Sequence, residues 1–304
     1  MVEPAQVVIE AFGCELPPSY VDAMASLPRQ PVWINLEYLS AEKWVEGCHG
    51  LPSPHPRLPL TKFFFFPGFV SGTGGLLAEN GLLQRRQAFQ NDAGQLHSFW
   101  QSIGLPPPEA QECRVSLFGY ENRAVPGLFG AWSNASYPVT CLVPEGRLVS
   151  DVADYFGRRE LVVGDVLKCG SFTVHILPFM EQDRYDYLLW ACDCNFVRGE
   201  DSFVRAQWVG RPFVWHVYPQ DEGAHLVKLE AFLDRYCADL PADAAAAVRS
   251  LWQAWNGGAG AGEAWGQYWQ HRGLLERHGR RWADEVLGHG DLVANLVQFC
   301  NKKL

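Results

Sequence analysis

The chain has 304 residues, a net charge of -9, and 48% hydrophobic against 19% charged residues. That balance is enough for two domains of ordinary size with a large core, and it excludes an intrinsically disordered chain. The acidic excess argues against non-specific nucleic-acid binding, and no stretch is long and apolar enough to predict a membrane span.

Residues 7–9 and 32–36 read as buried strands, with a helix between them opening after Pro17-Pro18. A proline-rich loop at 50–59 leads into a strand at 62–66 that contains four consecutive phenylalanines. The glycine-rich loop at 68–75 lacks the Gly-Lys-Ser/Thr ending of a nucleotide P-loop. It reads as a mobile loop over a cleft rather than a phosphate cradle. A helix at 93–103 precedes Gly104-Leu105-Pro106-Pro107-Pro108, which reads as a linker.

A second series of elements follows. Strands are predicted near 114–118, 140–143, 172–177, 194–197 and 213–215, and helices near 127–135, 146–155, 182–192 and 202–209. Such alternation predicts a mostly parallel sheet with helices on both faces. From 224 onward the pattern is helical, broken by Gly257-Gly258-Ala259-Gly260. The expected organisation is an N-terminal Rossmann-like domain at 1–103, a linker at 104–111 and a C-terminal Rossmann-like domain at 112–285. A doubly wound half ordinarily opens with a strand and a glycine-containing loop. That opening is missing, so the first half reads as truncated.

The start of the chain, MVEPAQVVIE, carries no signal-peptide pattern. Its nine cysteines are scattered without paired metal-ligand spacing, which predicts reduced thiols and a cytoplasmic protein.

Chemistry concentrates at the predicted carboxyl edge of the second sheet. Arg198-Gly199-Glu200-Asp201-Ser202 joins a strand to a helix start, where α/β sheets bind ligands. A helix amino end favours phosphate, glycine permits close backbone approach, and arginine supplies a bidentate contact. Asp201 or Ser202 acting only as a helix cap fits the local pattern equally well. The neighbouring strand ends deliver Phe118-Gly119-Tyr120, then Phe179 with Glu181-Gln182-Asp183, and His216 leading to Tyr218-Pro219-Gln220-Asp221-Glu222. Aromatic rings, one amide and a helix start suit a nucleoside diphosphate. Core packing for Phe118 and Phe179, helix capping for Gln182 and a structural role for His216 remain open beside that reading.

Several long strings are unusual: VIEAFGCELP, WINLEYLSAEKWVEGCHGLPSP, KFFFFPGFVSGTGGLL, SLFGYEN and LPFMEQDRYDYLLWACDCNFVRGEDSFVRAQWVGRPFVWHVYPQDEGAH. In these the chain resembles, essentially end to end, the bacterial protein-arginine rhamnosyltransferases of translation elongation factor P. The resemblance implies an α/β fold of the GT-B glycosyltransferase type: two facing Rossmann-like domains, the N-terminal one incomplete here. It also implies that a helix at 286–304 packs back on the first of them. The implied reaction moves L-rhamnose from dTDP-β-L-rhamnose to an arginine of elongation factor P with inversion, and no cofactor or metal is expected. Matched by motif, Phe118 and Phe179 would hold the thymine, with Tyr120 and Gln182 in the same pocket. Arg198, Gly199, Asp201 and Ser202 would surround the pyrophosphate and sugar, and Glu200 would lie close to the chemistry. The family has a further N-terminal stretch bearing an Asp-Asn-Tyr-Gly-Asp motif, whose aspartate is the proposed general base. This chain starts after it, so the alternative expectation is binding of the nucleotide sugar or the acceptor without turnover.

Overall fold

Strand polarity decides where ligands can bind in this molecule. The computed structural model describes residues 3–220 and 223–304, which form two units, Met1–Asn80 with Asp284–Leu304 and Gly81–Ala283. None of the helices among the described residues is long and apolar enough to cross a membrane.

The first unit is built on a four-stranded sheet of order β1-β2-β4-β3, from β1 (Val7–Ala11), β2 (Val32–Leu36), β3 (Pro52–Pro54) and β4 (Thr61–Phe65). The strands β1, β2 and β4 run parallel, while β3 pairs antiparallel with β4. Side chains alternate between faces along a strand. Trp33 and Val8 therefore pack with Val21 and Met24 of the helix Pro18–Ala25, while Val32, Ile34 and Phe65 turn the other way onto Cys300 and Phe299 of the helix Leu292–Lys303. On the first of these faces Glu10 is buried, accepts from Trp33 Nε1 at 3.2 Å and pairs with Lys62.

Two expectations fail in this unit. The loop at 68–75 is packed in place rather than open over a cleft, because its glycines serve close packing. Gly74 N–H donates to Phe66 O at 2.7 Å, and a Cβ at Gly74 would meet the Phe65 ring at 2.4 Å. Gly75, at φ +76°, lies where a Cβ would meet Gly290 O at 2.3 Å. The loop is held from beyond by Leu292 N–H on Leu76 O and by Asn295 Nδ2 on Gly74 O. The proline-rich loop, in turn, contains β3, an edge strand of Pro-Ser-Pro; edge positions tolerate proline because no ladder donor is required there.

The second unit carries a six-stranded sheet of order β10-β9-β5-β6-β8-β7. Its strands are β5 (Cys113–Leu117), β6 (Val139–Pro144), β7 (Val166–Cys169), β8 (Phe172–Leu177), β9 (Cys194–Arg198) and β10 (Phe213–His216). All pairings are parallel except β7 with β8. Strands β5, β6 and β10 are buried throughout, as parallel strands covered on both faces must be. The chain leaves β5 toward β6 and β8, then returns to the other side of β5 to lay down β9 and β10. The strand order thus reverses between β5 and β9, the switch point at which open α/β sheets bind ligands beyond the strands' carboxyl ends.

The boundary expected at residue 103 falls instead after Asn80. Leu82–Asn91 is a helix that sequence reading did not find, and it belongs to the second unit with Ala93–Ser102. Arg86 Nη1 donates to Trp208 O at 2.7 Å, and Phe89 meets Tyr187 edge-on at 4.9 Å. The segment at 104–111 is no loose linker: Leu105 is buried, and Arg114 Nη2 donates to Pro106 O at 2.8 Å. The last helix, Leu292–Lys303, does group with the first unit.

Candidate functional site

The end of β5 and the end of β9 meet at the switch point of the second sheet, and their side chains interlock there. Arg198, the last residue of β9, has its guanidinium carbon 4.2 Å from the Phe118 ring centre and 4.9 Å from that of Tyr120. A cation over aromatic faces gains about 0.5–1 kcal/mol at exposed sites and about 2 kcal/mol when desolvated. The two rings therefore fix the direction of the arginine. Gly199 follows at φ +62°, and a Cβ there would come within 3.0 Å of the Tyr120 hydroxyl. Glycine is required twice over, for the backbone angle and for the approach of the tyrosine.

His216, at the end of β10, backs this cluster. Its Nδ1 accepts from Tyr120 N–H at 3.3 Å, and its ring meets Tyr120 at 5.3 Å. Burial, followed by the nearby charges of Arg198 and His225, pushes its pKa down to about 4. A neutral imidazole that accepts a backbone hydrogen bond is a support, in line with the structural role considered for it. Tyr218, 59% exposed, closes edge-on against Tyr120 at 5.4 Å. Burial holds the Tyr120 hydroxyl above its ordinary range.

The turn after β9 differs from both readings of its polar residues. The helix Asp201–Gln207 has only seven residues; Glu200 occupies its N-cap position and makes no side-chain cap bond. Asp201 is exposed in the first turn, so it is not the cap. Ser202 is buried, and its hydroxyl is committed locally: it accepts from Arg198 N–H at 3.0 Å and donates to Arg198 O. Its work in this structure is to close the turn that carries Arg198.

Phe179 and Gln182 arrive from β8. Phe179 is 74% exposed, which removes the core-packing reading for it; its N–H donates to Glu145 Oε2 at 3.4 Å. Phe118 is half-buried and meets Tyr185 edge-on at 5.9 Å. Gln182 opens the helix Gln182–Ala191, whose N-cap position belongs to Glu181, so Gln182 is not a cap either. With its amide oriented to satisfy both groups, its oxygen accepts from Arg205, at 2.7 Å from Nε. Arg205 is itself buried and paired with Asp186 at 3.1 Å. Tyr185, three residues beyond Gln182 and so on the same helix face, carries that helix against Phe118. Burial raises its phenol well above the ordinary range.

The structure thus gathers Phe118, Tyr120, Arg198, Gly199 and Ser202 directly, and joins Gln182 to them through Tyr185. Phe179 stands on the adjoining loop, and Asp221 and Glu222 lie outside the described residues. Sequence reading missed Tyr185 and Arg205. The helical spacing 182–185 was the one available signal for the first. Two grooves, of about 400 and 570 Å³, lie at the opposite end of the same sheet, lined by residues such as Arg114, Thr173 and His175 or Asp193, Arg211 and Trp269. They sit at the amino ends of the strands, so strand polarity rather than groove volume marks the binding edge.

In chemical terms the edge offers a held cation, two carboxylates, aromatic surface and a helix start. Comparison with known proteins bears on what uses such an edge. A family profile described as Elongation-Factor P (EF-P) rhamnosyltransferase EarP matches residues 1–301. The protein-arginine rhamnosyltransferase of Pseudomonas putida is 51% identical over 304 residues, covering 100% of this chain and 80% of that protein. That of Pseudomonas aeruginosa is 51% identical over 298 residues, covering 98% and 79%. A solved structure described as giving the structural basis for EarP-mediated arginine glycosylation of translation elongation factor EF-P superposes with a TM-score of 0.74 at 43% identity, over 79% of this chain and 76% of that one. The mixed α/β architecture of two parallel-sheet units is accordingly that of a GT-B glycosyltransferase. The chain belongs to the EF-P rhamnosyltransferase family EarP.

Proposed function

We propose that this chain is a protein-arginine rhamnosyltransferase acting on elongation factor P, with dTDP-β-L-rhamnose as donor and inversion at the anomeric carbon. The observation that carries the donor side is the cation of Arg198, clamped by Phe118 and Tyr120 at the switch point between β5 and β9. A diphosphate needs a fixed cation and hydrogen-bond donors where charge builds on the leaving group. Arg198 supplies the first and the start of the Asp201–Gln207 helix the second. Phe118 and Phe179 present aromatic surface for the thymine, and Gln182 and Tyr120 border it. Asp201 and Glu200 are poor phosphate partners because they carry the same charge. Their place is at the sugar, with Glu200 nearest the anomeric carbon and Ser202 acting through the turn it closes.

The acceptor guanidinium is protonated at any physiological pH and is a weak nucleophile. A carboxylate must orient it, disturb its delocalisation and accept a proton as the new N–C bond forms. Attack from the side opposite the departing dTDP inverts the centre in one displacement. Glu200 is the carboxylate of this edge that the reading places beside the reaction.

The test is incubation of the chain with dTDP-rhamnose and elongation factor P, followed by mass spectrometry. A gain of one deoxyhexose on an arginine supports the reading, whereas donor binding without any gain would leave a binding protein. Calorimetry with dTDP refines it: Phe179→Ala should lose about 1–3 kcal/mol, the worth of one base–aromatic stack. Unchanged affinity would move the thymine away from this loop.

A further inference from the structure

We infer that the carboxyl edge of the first unit's sheet holds the acceptor arginine, its guanidinium stacked on Phe12 and Tyr38 and paired with Glu37. The inference rests on the proposed transfer to arginine and names a surface on this chain for that substrate.

The argument starts from the backbone. Phe12 and Gly13 directly follow β1 and both have positive φ, +59° and +67°. Asn, Asp or Gly ordinarily fill such positions, and a bulky aromatic residue there is an outlier. Backbone in that region persists only where surrounding bonds over-determine it, and here they do. Phe12 N–H donates to Leu36 O at 2.8 Å, Cys14 N–H to Ala11 O at 3.1 Å, and Gly13 N–H to Asn35 Oδ1 at 3.0 Å. The result is a phenyl ring lifted away from the core. It stacks on Tyr38, just past β2, with ring centres 4.3 Å apart and planes 21° from parallel. Both rings stay in solvent, Phe12 at 45% and Tyr38 at 53% exposure. A core residue would have been free to adopt ordinary angles and hide its ring.

The charges around this pair select its occupant. The Asn35 that receives Gly13 also donates through Nδ2 to Glu37 Oε1, so one short chain of bonds ties the carboxylate to the Phe12 turn. Between residues 35 and 46 stand Glu37, Glu42 and Glu46 against a single cation, Lys43. Exposed aromatic surface with a carboxylate tied in beside it suits a planar cation, which can stack by its face and bond by its edge. Guanidinium fits on both counts. An ammonium lacks the plane, and a nucleotide would meet like charge.

The experiment is a double-mutant cycle read as binding affinity. Elongation factor P is used with its acceptor arginine intact or replaced by alanine, against the unmodified chain and the Phe12→Asn, Tyr38→Leu and Glu37→Gln variants. Asparagine tolerates the left-handed backbone, so Phe12→Asn removes the ring without disturbing the fold, and an unchanged thermal unfolding profile checks that. Each variant should lose about 3- to 30-fold in affinity for the intact acceptor, the range of one stacked cation. It should lose nothing further against the alanine acceptor. Equal losses on both acceptors, or none on either, overturn the inference while leaving the transferase reading in place. An unmodified chain that binds neither acceptor removes that reading, and the inference with it.

Discussion

The carboxyl edges of the two sheets are built to one plan, but their aromatic residues stand beside opposite charges. In each, aromatic residues follow the ends of parallel strands beside a glycine with positive φ: Phe12, Gly13 and Tyr38 in the first unit, Phe118, Tyr120 and Gly199 in the second. In the second unit the rings already hold a cation, Arg198, and are half-buried around it. In the first they are exposed, with Glu37 tied in beside them. An aromatic face takes a cation from inside the chain or from a partner. Which of the two it does decides whether the edge attracts an anion or a cation.

The largest effect expected on this contrast comes from beneath the second edge. Asp186 neutralises Arg205, and Arg205 anchors Gln182. Asp186→Ala removes the paired carboxylate from a buried guanidinium and should cost about 3–5 kcal/mol of unfolding free energy in urea titration. The double change Arg205→Met with Asp186→Leu should recover most of it. A single-variant loss near zero would show that Arg205 is satisfied without its partner.

Next in size is a pH effect confined to the second edge. The folded His216 has a pKa of about 4 against an ordinary 6.5, so below about pH 6.5 the unfolded chain takes up a proton that the folded one refuses. Stability is full above that value and falls as the pH drops toward 4, by about 3 kcal/mol in all. His216→Gln should remove this part of the acid dependence while keeping an acceptor for Tyr120 N–H. Identical acid profiles for the two proteins would mean that the buried ring is charged already.

Much of this was legible beforehand, for identifiable reasons. The buried parallel strands β5, β6 and β9 announce themselves as apolar runs bounded by turns. Edge strands do not: β7 leaves Val166 exposed and β3 is two prolines around a serine, so neither carries a core pattern. Leu82–Asn91 hid because its buried face includes Arg86, which reads as surface until Trp208 O is seen to receive it. The proline run at 106–108 looked like a linker because sequence does not show Arg114 bonding to Pro106 O. At the site, residue types pointed to Phe118, Tyr120 and Arg198, but the destination of a hydroxyl is invisible in sequence. Ser202 and Gln182 were therefore placed by motif alone, and their partners prove to be Arg198 and Arg205.

Arg198→Ala tests the contrast more directly. If the second edge is anion-selective because of this one cation, the change should cost about 1.5–3 kcal/mol of dTDP affinity, the worth of a hydrogen bond to a charged group. Affinity for elongation factor P should stay as it was. Thymidine, which lacks the phosphates, should lose much less than dTDP in calorimetry. Equal losses for both would mean that the arginine mainly orders Phe118 and Tyr120.

The smallest effect separates a contact from a support. The Ser202 hydroxyl bonds on both sides to the backbone of Arg198, so its oxygen is already committed to the protein. Ser202→Ala should therefore act as the loss of a buried turn hydrogen bond, about 1 kcal/mol of unfolding free energy. Any slackening of the turn reaches the ligand through Arg198, so the loss in dTDP affinity should be a fraction of that seen on removing the arginine. In an Arg198→Ala background it should disappear, because the support then has nothing to aim. A loss of dTDP affinity that persists without Arg198, with thymidine binding untouched, would instead put the hydroxyl on the diphosphate. The motif reading of this residue would then stand over the geometric one.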